Sequence, residues 1–381
     1  MATQFNGTLN PSRVFSAMYN QILFNRVLDQ KAKSTNELVN MAKIDASLYG
    51  DKALFTSTDI LGSDPWGEDA EALNLLALHR PQSPIIEEVE VDTYRQISLT
   101  TDAVLSKKIM TSEGGFNQLQ SILEGWIGKT KDCFEAKLFN TFIGTCEAGE
   151  TDEQNITIEV KEVEGDEEAT NRLQAQTIGK YLADLYVKLA DANREYNNLG
   201  NYYSFDKDEM IVVWNSDFVN TITNLDKPTI FNTIPALEGA FKHQLPSHFF
   251  GTINGTPGTT TASNGTIRSM VEKDFNTMIV NGETVPMPRN HTNYDKRKHI
   301  MPGDLWPNST AYGANETYTV SSDVVFKMYH KNSIPFISNF SIGSNFYNAK
   351  SHTTNHYLTW GYSTLTTLDA YPFITAKIEK A

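Results

Sequence analysis

The segment Gly125-Trp126-Ile127-Gly128-Lys129-Thr130 finishes as a phosphate-binding loop finishes, on Gly-Lys-Thr. Such a loop needs Gly-x4-Gly-Lys-Ser/Thr after a strand, so that glycine backbone N–H groups can close on the anion. Position 123, where the first glycine belongs, is Leu123. The segment also sits inside a proline-free stretch with helical spacing, where amides are committed to carbonyls, so nucleotide binding is set aside. His352 and His356 stand four apart, the spacing that holds zinc on a helix, but they lack the adjacent glutamate of His-Glu-x-x-His. Their neighbours Thr353, Thr354 and Tyr357 to Trp360 favour a strand, and His243 with His248 reads no better as a metal pair. Glu87, Glu88, Glu90 and Asp92 offer carboxylates for acid–base work. Alternating with Ile and Val, they are more simply the wet face of a strand.

Cys133 and Cys146, the only two cysteines, lie thirteen residues apart on one expected helix, too far to bond within it, and read as small apolar fillers. No Gly-x-Ser-x-Gly elbow and no Gly-x-Gly-x-x-Gly fingerprint occurs. The Asn-Gly-Thr triplets at Asn6, Asn254 and Asn264 read as turns. The expectation is a protein without catalytic residues, metal or cofactor, and not an enzyme.

Bulk properties narrow the class. The net charge of −14 opposes coating by nucleic acid, because phosphate neutralisation needs a surplus of Lys and Arg. The one dense basic cluster, Lys296-Arg297-Lys298-His299, reads as a solvated loop. No apolar run approaches the 18 residues of a membrane span, and the first ten residues lack the basic start and apolar core of a signal peptide. The expectation is a chain made and used in the cytosol of the producing cell.

The elements are those of an α+β chain. Residues 11–45 read mostly as helix, with Val14, Met18, Ile22, Val27, Leu38, Met41 and Ile44 as a rough apolar face. Residues 46–83 are rich in turn formers, with a short helix expected around Glu68 to Leu78. Leu54, Phe55, Ile60 and Trp66 are apolar there but too sparse for a core of their own, so this stretch is expected to pack on a partner. Strands follow at Ile86–Asp92 and Tyr94–Thr100. A long helix then runs from Gly115 to Thr145, its apolar face made by Phe116, Leu119, Leu123, Trp126/Ile127, Thr130, Phe134, Leu138 and Phe142. A helix of that length spans roughly 45 Å, a strut in something large. Asn155 to Val163 reads as a strand. A second helix is placed at about Asn171 to Asn197, with Leu173, Ile178, Leu182, Leu185 and Leu189 as its stripe. Met210 to Trp214 reads as a buried strand feeding a helix from Phe218, residues 250–266 as a surface loop, and the tail as strands at Val324–Tyr329, Asn355–Trp360 and Tyr371–Ile378.

Tyr94-Arg95-Gln96-Ile97-Ser98-Leu99-Thr100-Thr101, Ser112-Glu113-Gly114-Gly115-Phe116-Asn117-Gln118-Leu119 and Leu138-Phe139-Asn140-Thr141-Phe142-Ile143-Gly144-Thr145 are similar to stretches of capsid proteins of small short-tailed phages. The order of parts resembles the Hong Kong 97-type major capsid protein of tailed double-stranded DNA bacteriophages. That resemblance implies an N-terminal arm over 1–49, an extended β-loop over 50–91, and a peripheral domain over 92–174 carrying the spine helix 115–145. It further implies an axial domain over 175–300 and a return to the peripheral domain over 301–381. It implies a subunit of an icosahedral virion capsid that assembles with copies of itself into pentamers and hexamers in the host bacterial cytoplasm. Scaffolding protein and portal are the further partners it implies, double-stranded DNA the packaged cargo, and no membrane is involved. Some relatives crosslink a loop lysine to a neighbour, and Lys52 has the position for it. An extended hairpin is marginal alone in water, so Leu54, Phe55, Ile60 and Trp66 are the expected contacts with a neighbouring subunit. Two other readings stay open: an encapsulin-like cellular shell, and a β-rich adhesin or glycan-binding protein suggested by the 16 Tyr and five Trp.

Overall fold

The computed structural model describes residues 37–44, 52–63, 80–102, 113–219, 242–254, 277–280, 283–286, 317–321, 323–338 and 341–380. They fall into two compact units. The first draws on Met1–Asp51, Glu90–Ala136 and Phe336–Thr364, the second on Lys52–Val89, Lys137–Pro335 and Leu365–Ala381. The expected helices over 11–36 and 68–78, Trp66, most of the 250–266 loop and the basic cluster at 296–299 lie outside the described residues.

In the first unit, helix α1 (Glu37–Ala42) buries Leu38, Val39 and Ala42. The expected helix does not continue to residue 45. Lys43–Ile44 instead forms strand β1, parallel to a later strand at Phe336–Ile337, because a ladder partner outweighs a weak local propensity. The strand at Ile85–Asp102, here β3, is one 18-residue element where two were expected. Its ladder to the strand at Thr353–Ser363 shifts register once, opposite Tyr362/Ser363. Asp92 sits at that shift and accepts bonds from Thr364 N (2.9 Å) and Thr364 Oγ1 (2.6 Å). Asp92 is the residue the ladder skips between Thr93 and Val91, a β-bulge within one continuous strand. Helix α2, Glu113–Thr145, has 33 residues, about 50 Å of helix; its residues up to Ala136 belong to this unit and those from Lys137 to the second. Phe134 of α2 meets Trp360 and Tyr362 edge-on and lies under the Arg95 guanidinium, 4.6 Å from its centroid.

The second unit is built on a five-stranded mixed sheet. In spatial order its strands are β4 (Asn155–Val160), β15 (Phe373–Lys380), β11 (Val324–His330), β5 (Met210–Asn215) and β6 (His243–Leu245). β11 runs antiparallel to β5 and β15, while β4 and β6 join the edges in parallel. β5 and β11 are buried at every residue, the pattern of strands covered on both faces. Val212, Trp214, Phe326, Met328 and Ile374 share one core with Ile178, Leu182, Leu185 and Leu189 of helix α3, Glu167–Ala190.

α3 begins four residues before its expected start and ends seven before its expected end. Asp166, not a residue near Asn171, caps it by accepting from Ala169 N at 2.9 Å. At the other end Asp191 is extended, with ψ 139, and Asn193 bonds Tyr203 in both directions instead of continuing the helix. Leu173, assigned to the stripe, is partly exposed. Residues 216–219 are helical after β5, starting two residues before the expected Phe218, and the rest of that expected helix lies outside the described residues. Gly251–Asn254, read as the start of a loop, is strand β7, paired antiparallel with β10 (Thr317–Val320). A hairpin joins β8 (Thr277–Val280) to β9 (Glu283–Pro286).

Candidate assembly surface

The stretch expected to meet a neighbour begins with strand β2, Lys52–Ser57, whose exposure alternates along the chain. Period two sends Leu54 outward, 64% exposed, and leaves Phe55 half-buried. β2 is hydrogen-bonded to β3. Lys52 is ion-paired with Glu88, and Ser57 Oγ lies 3.5 Å from Ile85 O. Ile60 is 62% exposed and Leu61 75%, and Ile85 and Ile86 are exposed as well. Of the four expected contact residues, the structure thus turns Leu54 and Ile60 to solvent, holds Phe55 partly inside, and leaves Trp66 outside the described residues. Leu61, Ile85 and Ile86 join the exposed apolar set and were not singled out from sequence.

Two devices hold this apolar stretch in place. Asp59 accepts from Tyr202 N (3.0 Å) and Ile60 N (2.8 Å) and pairs with Arg194 at 2.8 Å. Arg194 in turn stacks 4.1 Å over Tyr202. The Tyr202 amide is the largest of the influences that hold the Asp59 carboxyl below its ordinary range, ahead of the Arg194 charge. Beneath β2 lies a cavity of about 240 Å³ with Phe55, Glu87, Tyr203, Leu368 and Tyr371 in its wall. Glu87 accepts from Asp369 N at 2.7 Å, and burial pushes its carboxyl upward.

Two polar centres inside the units were not recognised in the sequence. Glu135 is buried on the apolar face of α2, bonded to Ser338 Oγ, with Lys131 Nζ at 3.3 Å and Lys43 Nζ at 3.6 Å. It ties β1, α2 and the residue after Phe336–Ile337 (β12) together. The Lys131–Glu135 spacing of four was the available signal. In the second unit Lys327, 2% exposed, donates to Gly144 O (2.9 Å) and Cys146 O (2.6 Å) at the C-terminal end of α2. A cation there complements the helix dipole. Burial still pulls the ammonium down to about 8, with the neighbouring Cys146 as the largest opposing influence. Burial also raises the Cys146 thiol to about 11, which makes it a poor nucleophile.

The other chemical candidates take ordinary places. Gly125 to Thr130 lies within α2, where Thr130 Oγ1 donates to Trp126 O at 2.7 Å. His352 contacts Tyr347 OH at 2.9 Å, and His356 bonds Asn345 Oδ1 (2.8 Å) and Thr101 Oγ1 (3.0 Å). Both cysteines are unbridged.

No family profile and no curated protein matches the sequence. Solved structures do match. A chain of the capsid structure of Staphylococcus phage Andhra superposes with a TM-score of 0.60 at 10% identity, over 93% of this chain and 87% of that one. This chain has a phage capsid fold. A chain of the structure of the head fiber and inner core protein gp22 of bacteriophage P68 superposes with a TM-score of 0.57 at 11% identity, over the same shares. At such identity the likeness is one of backbone arrangement.

Proposed function

We propose that this chain is the structural subunit of a tailed-phage capsid, of the Hong Kong 97 type and most like those of short-tailed phages. The observation that carries the reading is the fold likeness to a capsid chain over 93% of the sequence. In this reading residues 1–49 are the arm, 50–91 the extended loop, 92–174 the peripheral domain with its spine, 175–300 the axial domain, and 301–381 the return. Copies form pentamers and hexamers and close a virion shell around double-stranded DNA, with scaffolding protein and portal as partners and no chemistry of the chain's own. The exposed Leu54, Ile60, Leu61, Ile85 and Ile86 support an intersubunit role for the loop, since each large apolar side chain buried in a neighbour contributes about 1.5–3 kcal/mol. Phe55 and Trp66 belong to the same proposed contact. Many such modest contacts make a closed shell strong.

The test compares wild type with Leu54→Asp/Ile60→Asp by sedimentation velocity. The reading expects large assemblies from wild type and folded, unassembled chains from the variant. Equal assembly by both removes the loop from the interface.

A further inference from the structure

Strand β13, Ser341–Asn348, lies at one end of the sheet order β13-β14-β3-β2, with β14 (Thr353–Ser363) as its partner among the described residues. Every residue from Ile342 to Asn348 is exposed, and no described residue covers either face. Ile342 is 50% exposed, Phe346 63% and Tyr347 55%. Natural proteins guard such an edge with lysine, proline, bulges or a short length. This edge has none of these: Ser-Ile-Gly-Ser-Asn-Phe-Tyr-Asn is eight residues without a charge or a proline, paired with β14 without a register shift. The rest of the chain carries the whole net charge of −14. A generic surface of a second copy repels, whereas a second β13 approaches without like-charge opposition.

The sequence also fits itself. Two strands related by a two-fold axis normal to the sheet run antiparallel and place residues of the same face opposite one another. With the axis at Ser344, Ile342 of each copy faces Phe346 of the other, an aromatic with a β-branched residue, the kind of pair that stabilises a ladder. Gly343 faces Asn345, and Ser344 faces its own equivalent. We propose that β13 is a strand through which two copies of this chain join, antiparallel and centred on Ser344. The proposal rests on the shell reading, in which two-fold contacts link one ring to the next, and adds the strand and register that make the link.

Ser344→Cys tests it in the full chain. Opposed α-carbons in an antiparallel pair lie about 4.5–5.5 Å apart, within disulfide reach. Purified protein is oxidised with copper–phenanthroline, run on a non-reducing gel, and imaged in parallel by electron microscopy. The proposal predicts disulfide dimer from most Ser344→Cys chains. It predicts none from Asn348→Cys or from wild type, whose own Cys133 and Cys146 serve as the control. Particles without the Ser344→Cys dimer overturn the β13 contact and leave the shell reading standing. Dimer without particles upholds the contact and overturns the shell reading, and absence of both overturns both. As a second variant, Ile342→Lys/Phe346→Lys is expected to keep its far-ultraviolet circular dichroism and lose closed particles. Closed particles from it contradict the proposal.

Discussion

Lys327 shows how a single residue joins two elements. The polar bonds to Gly144 O and Cys146 O offset the cost of burying an ammonium against the sheet. A lysine held at about 8 in the folded chain, against 10.5 ordinarily, binds fewer protons than its unfolded counterpart between those values. Stability from this group therefore rises with pH above about 8. Cys146, raised from 9.0 to about 11, acts with the opposite sign above 9. The window for Lys327 alone is pH 8 to 9, where wild type should gain denaturation midpoint relative to Lys327→Met. A difference that stays flat over that window contradicts the burial argument. Gly144 is fixed by space rather than charge. A Cβ there would stand 1.9 Å from Phe249 O, a backbone atom. Gly144→Ala should cost at least about 1–3 kcal/mol in chemical denaturation.

At the scale of elements, α2 supplies the sharpest test. Phe134 is 1% exposed and touches Trp360, Tyr362 and Arg95. Phe134→Ala should destabilise by about 3–5 kcal/mol, read as a fall in unfolding midpoint; a loss under about 1 kcal/mol would mean α2 does not pack as described. This helix was legible because Phe134, Leu138 and Phe142 recur every four residues, and all three are buried. Glu135 was not legible on the same face, since its partners Lys43 and Ser338 are remote in sequence. β3 was legible as strand but not as one strand, because its continuity depends on the ladder with β14. β13 escaped notice because small and polar residues between Ile342 and Phe346 mask its alternation, and only pairing with β14 reveals it. Of the proposed contact residues, Leu54 and Ile60 were legible as apolar residues without a local core, whereas the exposure of Ile86 shows only in the folded chain.

At the scale of the molecule, the long helix, the exposed Leu54, Ile60 and Leu61 and the phage capsid fold are what support the proposed shell reading, in which a chain is completed by its copies. The charge of −14 per subunit sets a condition on that assembly. Repulsion reaches about 30 Å at 0.01 M salt and about 8 Å at 0.15 M, so light scattering should show assembly favoured as salt rises over that range. Assembly that weakens with salt would place attractive charge pairs, not apolar contacts, at the interface. The most direct measurement is negative-stain electron microscopy of the purified chain at physiological salt, with and without any scaffolding protein from its source. The account predicts closed particles, or regular rings and sheets of subunits. A stable, uniformly monomeric protein in both conditions contradicts it.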